Sequence, residues 1–563
     1  MANLRLLLKT RSHLRTFLIT LMVGTMFAVP RLINPNHYVM VDEPLWLYRS
    51  ANFVNALKER DWKFTYQINH PGVTTMWVGA AGLIISHAEV FQEQNGQLNY
   101  RQYEEFLKKI NVNPFDILVT DRILMALVTA ITLTIAFVFA WDLLGLVPTL
   151  LGFGFLAFDP FHLALSRILH LDGLLSNFMF LALLALFHFW KKKRIASLLL
   201  SGTCSALSWL TKSPGLFLLP FIGSLIIMMI YWELKPQGRM GWQNFFVQLV
   251  KVFSIWGGSA VLISILLWPA LLTDPIHVIH LVLLKGFEAA QEGHEQALFY
   301  KGVIYPTGRI GFRIWDFYPV NFLWRTTPVI MLGLISAVIS GFNRKVNNDN
   351  RDIIKVMAGL WLFGLGFMLF MNLGDKKFDR YILPIFPPFD LLSGIGFAML
   401  GKMTFRKRYG KYVITPALLL GLIGLQAYFS LSIFPYMVSY YNPLLGGPTQ
   451  AVKIMDVGEG EGLELAAQYL NQKADVQNLQ VFSWYATGCF SYFFDGITRQ
   501  IRPMERQTTK RLQTLQKADY IVIYINQEQR GLGKLYLEYV KDFPIEKRII
   551  INQIEYARIY KIH

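Results

Sequence analysis

The sequence predicts a mostly α, polytopic helical membrane protein of about eleven transmembrane helices, closed by a soluble α/β domain at the C-terminus. Three observations lead there. Of 563 residues, 53% are hydrophobic and only 16% charged, too apolar for a soluble chain of this length. Apolar runs approaching the ~20 residues that cross a bilayer recur as far as about residue 433. Beyond that point the runs stop and charges of both signs intersperse, which divides the chain into a membrane module at 1–435 and a domain at 436–563.

Taken in order, the basic segment Met1 to Arg15 precedes the first apolar run, and no small-x-small cleavage site follows it; it reads as an uncleaved first span. Window hydropathy places spans at 15–33, 117–140, 143–158, 170–190, 195–211, 215–232, 247–271, 323–342, 353–372, 381–400 and 412–433. With Arg11 and Arg15 inside, four basic loops fall on the same side: Lys191 to Arg194, Lys235 to Arg239, Arg344-Lys345 with Arg351, and Lys402 to Lys411. That agreement with the positive-inside rule supports the count. Val73 to Val90 is apolar but carries Thr74, Thr75, Ser86 and His87. Its crossing would turn the Lys191 cluster outward, so it is expected in the interface plane, like the amphipathic stretch from Pro44 to Lys58.

The net charge of +17 comes without a basic stripe interleaved with a recognition motif, which speaks against a nucleic-acid partner. Two cysteines, Cys204 in an apolar run and Cys489 far away in a polar one, make no disulfide framework.

The outward loops collect the chemistry. Asp42, Glu43 and His70 lie in the first, Asp121-Arg122 opens the second span, and Asp159-Pro160 opens the fourth. Unpaired acids are not tolerated in lipid, so Asp42 and Glu43 must face water or a polar pocket; either could also merely cap the helix begun by Pro44. Asp159 as cap and Pro160 at the first position start a helix expected to run to Trp190. Thirty residues at about 1.5 Å each reach ~45 Å, so its outer turns, with His162, Arg167, His170 and Asp172, should project above a ~30 Å hydrocarbon core. Lys212-Ser213-Pro214-Gly215 joins the fifth and sixth spans, a long loop from Thr273 to Phe322 carries Glu288, Glu292 and His294, and Asp375 to Tyr381 forms the last outward turn. Long loops in compact folds are usually functional or disordered, and the apolar runs in this one argue against disorder. Outward cations run against the charge bias, and an anionic ligand would explain them.

In the final domain, Gly462 to Gln472 reads as a helix, Leu479 to Tyr485 and Asp519 to Ile525 as strands, and Arg548 to Ile562 as a strand pair. Gly458-Glu459-Gly460-Glu461-Gly462 is acidic and lacks the preceding strand and the lysine of a phosphate loop. The domain is expected outside, as an accessory or acceptor-handling unit.

Together these features resemble the GT-C glycosyltransferases, in particular protein O-mannosyltransferases and bacterial aminoarabinose transferases, over roughly residues 1–435. The motifs are Asp42-Glu43, Asp121-Arg122, Asp159-Pro160 followed by Arg167 and His170-x-Asp172, Lys212-x-Pro214-Gly215, Gly293-His294 with Phe299-x-Lys301-Gly302, Lys377-x-x-Arg380-Tyr381-x-Leu383-Pro384, and Tyr441-Asn442-Pro443-Leu444-x-Gly446-Gly447. The resemblance implies a polyprenyl-phosphate sugar donor, a glycan, lipid or protein acceptor, and Asp42 as the base on the acceptor hydroxyl, with Glu43 as the second acid of the pair. It implies a site on the outer face of the plasma (inner) membrane. It leaves a divalent metal open; His162, His170 and a carboxylate have no known ligand spacing.

The chemistry asks for these residue types on its own account. A phosphate leaving group needs cations, here Arg380, Arg167, Lys212, Arg122 and Lys377, and a hydroxyl acceptor needs a positioned carboxylate. His70, Asp121, Asp159, His170, Asp172, Glu288, His294 and Tyr381 are the further site candidates. The alternative is a transporter or flippase of a lipid-linked or anionic solute; that class places charges at mid-membrane and often shows repeats, whereas these charges sit at the outer ends of spans.

Overall fold

A computed structural model describes residues 2–234, 241–286, 288, 291, 296–308, 311–342, 351–404, 410–502 and 515–563. Among these residues, seven helices are long and apolar enough to cross a membrane: Leu14–Leu32, Pro114–Leu144, Leu171–Lys192, Ser213–Leu234, Trp242–Leu267, Arg351–Asn372 and Asp379–Gly401. The pair Phe317–Arg325 and Pro328–Phe342, bent by 115°, is apolar enough to make an eighth if the two helices count as one span. Of the other three expected spans, Leu146–Ala157 and Ile195–Thr211 are shorter apolar helices, and the last is the 22-residue helix Gly410–Leu431. All eleven expected segments are thus helical, and two fall below full span length. Val73–Ser86 is a further short apolar helix. It packs on the helices Glu43–Lys58 and Pro114–Leu144. The loops Lys235 to Arg239 and Arg344-Lys345 lie outside the described residues, as does much of Lys402 to Lys411.

One expectation needs correction. No continuous helix joins Pro160 to Trp190; Pro160–Leu165 ends at Ser166, and a new helix runs from Leu171 to Lys192. The break is held by tertiary contacts. Arg31 Nε donates to Ser166 Oγ at 2.8 Å, and Gly173 approaches so closely that an added Cβ would meet Ser166 Cα at 2.7 Å. His170, in extended conformation, caps the second helix. The break therefore lifts His170 off a helix face and leaves it at a helix entrance.

The C-terminal unit is a five-stranded sheet in the order β4 (Ile497–Gln500), β3 (Gln480–Ser483), β5 (Tyr520–Tyr524), β7 (Ile554–Lys561), β6 (Ile545–Ile551), counting β1 (Leu298–Tyr300) and β2 (Val303–Tyr305) as a separate hairpin. β4, β3 and β5 are parallel, and β7 and β6 join antiparallel. Central β5 is buried at every residue, as its unbroken apolar run requires of a strand covered on both faces. Its core is continuous with that of the first loop and the helix after it: Val39, Trp46, Leu47, Tyr103 and Leu118 share a hydrophobic cluster with Val481, Ile521 and Tyr556. The sheet is thereby docked onto the loop that carries Asp42.

Candidate active site

Asp42 precedes the helix Glu43–Lys58, yet its side chain makes no capping bond. Local capping therefore does not account for it. Its neighbour Glu43 does the anchoring instead. Glu43 Oε1 accepts from Arg122 Nε at 2.8 Å and from the Leu169 amide at 3.0 Å. Its Oε2 accepts from Arg122 NH2 at 2.5 Å and from the Met40 amide at 2.9 Å. Arg122 also donates to the carbonyls of Pro35 (2.6 Å), His37 (3.2 Å) and Tyr38 (2.8 Å). Both side chains of this pair are 0% exposed. Arg122 and Glu43 thus form an anchor that sets the first loop against residue 169.

That anchor presents Asp42 to a cluster of charges. Asp42 Oδ2 lies 3.0 Å from Arg380 NH2 and 3.2 Å from His170 Nε2. His170 Nδ1 is 3.3 Å from Asp172 Oδ2, and Asp172 Oδ1 accepts from Lys212 Nζ at 2.6 Å. Lys212 Nζ sits 4.1 Å from the ring centre of Tyr381, a cation–π contact. Arg380 NH1 pairs with Glu459 of the C-terminal unit, and its Nε, 3.7 Å from Asp172 Oδ2, is buried without a hydrogen-bond acceptor among the described residues. Arg380 is itself positioned by Asp379, which accepts the Arg380 amide at 2.7 Å and pairs with Arg325 at 2.6 Å. Asp172, Lys212 and Arg380 lie at or just before the N-terminal ends of three spans, so those ends share one side of the helical layer. Lys191 to Arg194 sit at the far end of Leu171–Lys192, about 33 Å away at 1.5 Å per residue.

The cluster faces out through its acids. The side chain of Asp42 is 29% exposed and that of Glu459 19%, while His170 and Asp172 are covered. Burial alone would raise the Asp42 pKa, but Arg380, then the His170 hydrogen bond and charge, hold it well below the usual carboxylate range. Burial would lower His170, and Asp172 with Asp42 outweighs it, so His170 is raised. Lys212 is lowered, burial exceeding the help of Asp172. His70 lies near the cluster: burial, then the charges of Lys212, Lys376 and Arg49, push it down to about 4, so it is neutral at physiological pH.

Other candidates lie apart from this group. Arg167 gives NH2 to the carbonyls of Ile33 (2.5 Å) and Asn34 (2.7 Å) and lies over the Phe434 ring; it fastens the end of the first span. Asp159 caps its short helix, accepting from the His162 amide at 2.7 Å. Asp121 is buried beside Gly82, where an added Cβ would come within 1.9 Å of its carboxylate. Lys377 donates to the Asn372 carbonyl at 3.0 Å; burial, opposed by Asp375, lowers it to about 8. Glu288 is exposed and pairs with Lys285 at 2.7 Å, and His294 lies outside the described residues. Glu459 is the residue that sequence reasoning missed, having been read only as part of a failed phosphate loop.

No group of three metal-ligating side chains is arranged for an ion among the described residues. The ring nitrogens of His162 face Arg31 (3.2 Å) and Asn177 (2.9 Å). Asp42 and Asp172 already face Arg380, Lys212 and His170. That cationic surround does not suit a divalent metal, which seeks carboxylates free of competing charge.

Residues 118–257, about a quarter of the chain, match the family model described as dolichyl-phosphate-mannose-protein mannosyltransferase. The resemblance read from the sequence is met over that stretch, which holds Arg122, His170, Asp172 and Lys212. Among solved structures, the chain is similar to ArnT from Cupriavidus metallidurans bound to undecaprenyl phosphate, at 12% identity and TM-score 0.47, over 97% of this chain and 98% of that one. It is also similar to the archaeal oligosaccharyltransferase AglB from Archaeoglobus fulgidus (11%, TM-score 0.43, 92% and 70%). A third likeness is to the S. cerevisiae protein O-mannosyltransferase Pmt1-Pmt2 complex bound to the sugar donor (14%, TM-score 0.35, 51% and 38%). No curated protein matches the chain by sequence.

Proposed function

We propose that the chain is an inverting glycosyltransferase of the GT-C kind, moving a sugar from a polyprenyl-phosphate donor to an acceptor hydroxyl at the outer face of the plasma (inner) membrane. One observation carries the reading: a partly exposed carboxylate, Asp42, lies within contact of Arg380 and His170, with Lys212 behind Asp172. The family pattern over residues 118–257 supports it. In this reading residues 1–435 form the transferase module, and residues 436–563 form an extracytoplasmic domain docked on the first loop.

The reaction assigns each group a task. The acceptor oxygen forms a bond to the anomeric carbon as the bond from that carbon to the phosphate oxygen breaks. Asp42 takes the acceptor's proton, and polyprenyl phosphate leaves with the electron pair. Arg380 and Lys212 stabilise the charge that grows on the phosphate. An Asp42 held by Arg380 is a weak base, because its carboxylate is stabilised as the anion. Donor phosphate draws Arg380 toward itself and so restores basicity to Asp42 when substrate is present. His170, placed between Asp42 and Asp172, keeps the carboxylate oriented.

Mass spectrometry of cell-envelope glycans tests the proposal. A strain lacking the chain should lose a sugar modification that returns with the wild-type chain and not with Asp42→Asn. Restoration by Asp42→Asn at wild-type level would sink it.

A further inference from the structure

The donor-site reading leaves one contact unused, the hold of the C-terminal unit on Arg380. Arg380 bridges two acids from distant parts of the chain, with NH2 on Asp42 and NH1 on Glu459. Glu459 reaches it from a loop shaped for that purpose. The Val41 amide donates to the Glu459 carbonyl at 3.0 Å, which seats the loop beside Asp42. Gly460 has φ +116°, and a Cβ there would come within 2.4 Å of the Val39 carbonyl, so only glycine permits the approach. The loop is pinned from behind as well. The Glu459 amide donates to Glu461 Oε2 at 2.7 Å, the Gly460 amide to Tyr524 Oη at 3.0 Å, and the Gly462 amide to Glu464 Oε2 at 2.8 Å.

We infer that Glu459 is an internal stand-in for the donor's phosphate, holding the NH1 edge of Arg380 until the phosphate displaces it. The inference rests on Arg380 belonging to the donor site. A carboxylate and a phosphate present the same pair of acceptor oxygens to a guanidinium edge, and Glu459 with Asp42 are the cluster's partly exposed acids. Burial raises Glu459 to about 7 even beside Arg380, so desolvation opposes its charged form in the pair. Arg380 Nε, buried and without a hydrogen-bond acceptor among the described residues, supplies a second donor for a phosphate oxygen. Glu459 is then a positioning residue that sets donor affinity.

The sign of one substitution separates this from a structural role. Glu459→Gln keeps the side chain's size and removes its competition for Arg380. If the Glu459-bound form outweighs the open form by about ten to one, the apparent affinity is reduced by that fraction, and the variant should bind on the order of tenfold more tightly. The probe is undecaprenyl phosphate, titrated into the detergent-purified full chain. A residue that merely stabilised the fold would weaken binding when changed. Unchanged or weaker binding by Glu459→Gln, with Arg380→Ala still losing affinity, overturns the inference and leaves the donor site standing. If Arg380→Ala also binds as wild type, the donor-site reading falls and the inference with it.

Discussion

Arg122→Ala gives the sharpest test of how the site is built. The substitution removes the countercharge from Glu43, whose carboxylate is fully buried, and strips donors from the carbonyls of Pro35, His37 and Tyr38. Breaking a buried ion pair from one side costs about 3–5 kcal/mol, because the remaining charge stays desolvated. At about 1.4 kcal/mol per tenfold, the folding equilibrium constant falls by roughly 10²- to a few times 10³-fold. Glu43 also fixes the Met40 and Leu169 amides, so the loss falls on the segments that hold Asp42 against His170. Unfolding in detergent, followed by tryptophan fluorescence, should show a clearly lowered midpoint for Arg122→Ala and also for Glu43→Gln, whose amide keeps one acceptor oxygen but sets an NH2 donor against the N–H groups of Arg122 and a backbone amide. Joining Glu43→Gln to Arg122→Met should cost less than the sum of the single changes, since no lone charge remains. A wild-type midpoint for Arg122→Ala, or strict additivity in the cycle, would refute the anchor.

Four further outcomes are expected. Asp42→Asn should keep its fold and donor binding yet lose transfer by ~10²-fold or more, the scale of a removed general base; turnover near wild type contradicts that. Lys212→Gln should weaken binding of polyprenyl phosphate in a titration, and unchanged affinity would take Lys212 out of the phosphate's reach. Because His170 is raised above its ordinary value of about 6.5, its protonated pairing with Asp42 and Asp172 stabilises the fold fully below that pH and is lost as pH rises through the raised value. A melting series from about pH 6 to 9 should show this decline in wild type and a flatter profile in His170→Gln; identical profiles would exclude the imidazolium. A reporter fused after His563 should be active outside the cytoplasm and one near Lys192 inside, and a C-terminal fusion active only in the cytoplasm would invert the assigned sidedness.

Much of the site was legible because its residues violate the pattern around them. Asp42, Asp172, Lys212 and Arg380 are charges at the ends of apolar helices, and such placements ask for partners. They proved to partner one another. The break at Ser166 was not legible, because Leu165 to His170 contains neither glycine nor proline and its cause is Arg31, 135 residues away. Glu459 was missed for a related reason: its partner Arg380 lies 79 residues back in the chain, and no local spacing announces a tertiary pair. β4 went unread because Thr498, Arg499 and Gln500 lack strand periodicity; it is an edge strand, and much of it is exposed. Arg122 is held by Glu43 and three backbone carbonyls, and Arg167 by two carbonyls. Sequence marks where a cation is unusual, but only packing decides whether a carbonyl, an acid or a substrate satisfies it.

The anomeric configuration of the transferred sugar tests the central claim most directly. With Asp42 as base, the acceptor displaces the phosphate in a single in-line step. Retention would need a second carboxylate as nucleophile about 5 Å from the first across the sugar. Glu43 is turned into its pair with Arg122, and Asp172 lies behind His170 and Lys212. NMR of product formed by the purified protein from a donor of known configuration should show inversion. A product that keeps the donor's configuration would contradict the account.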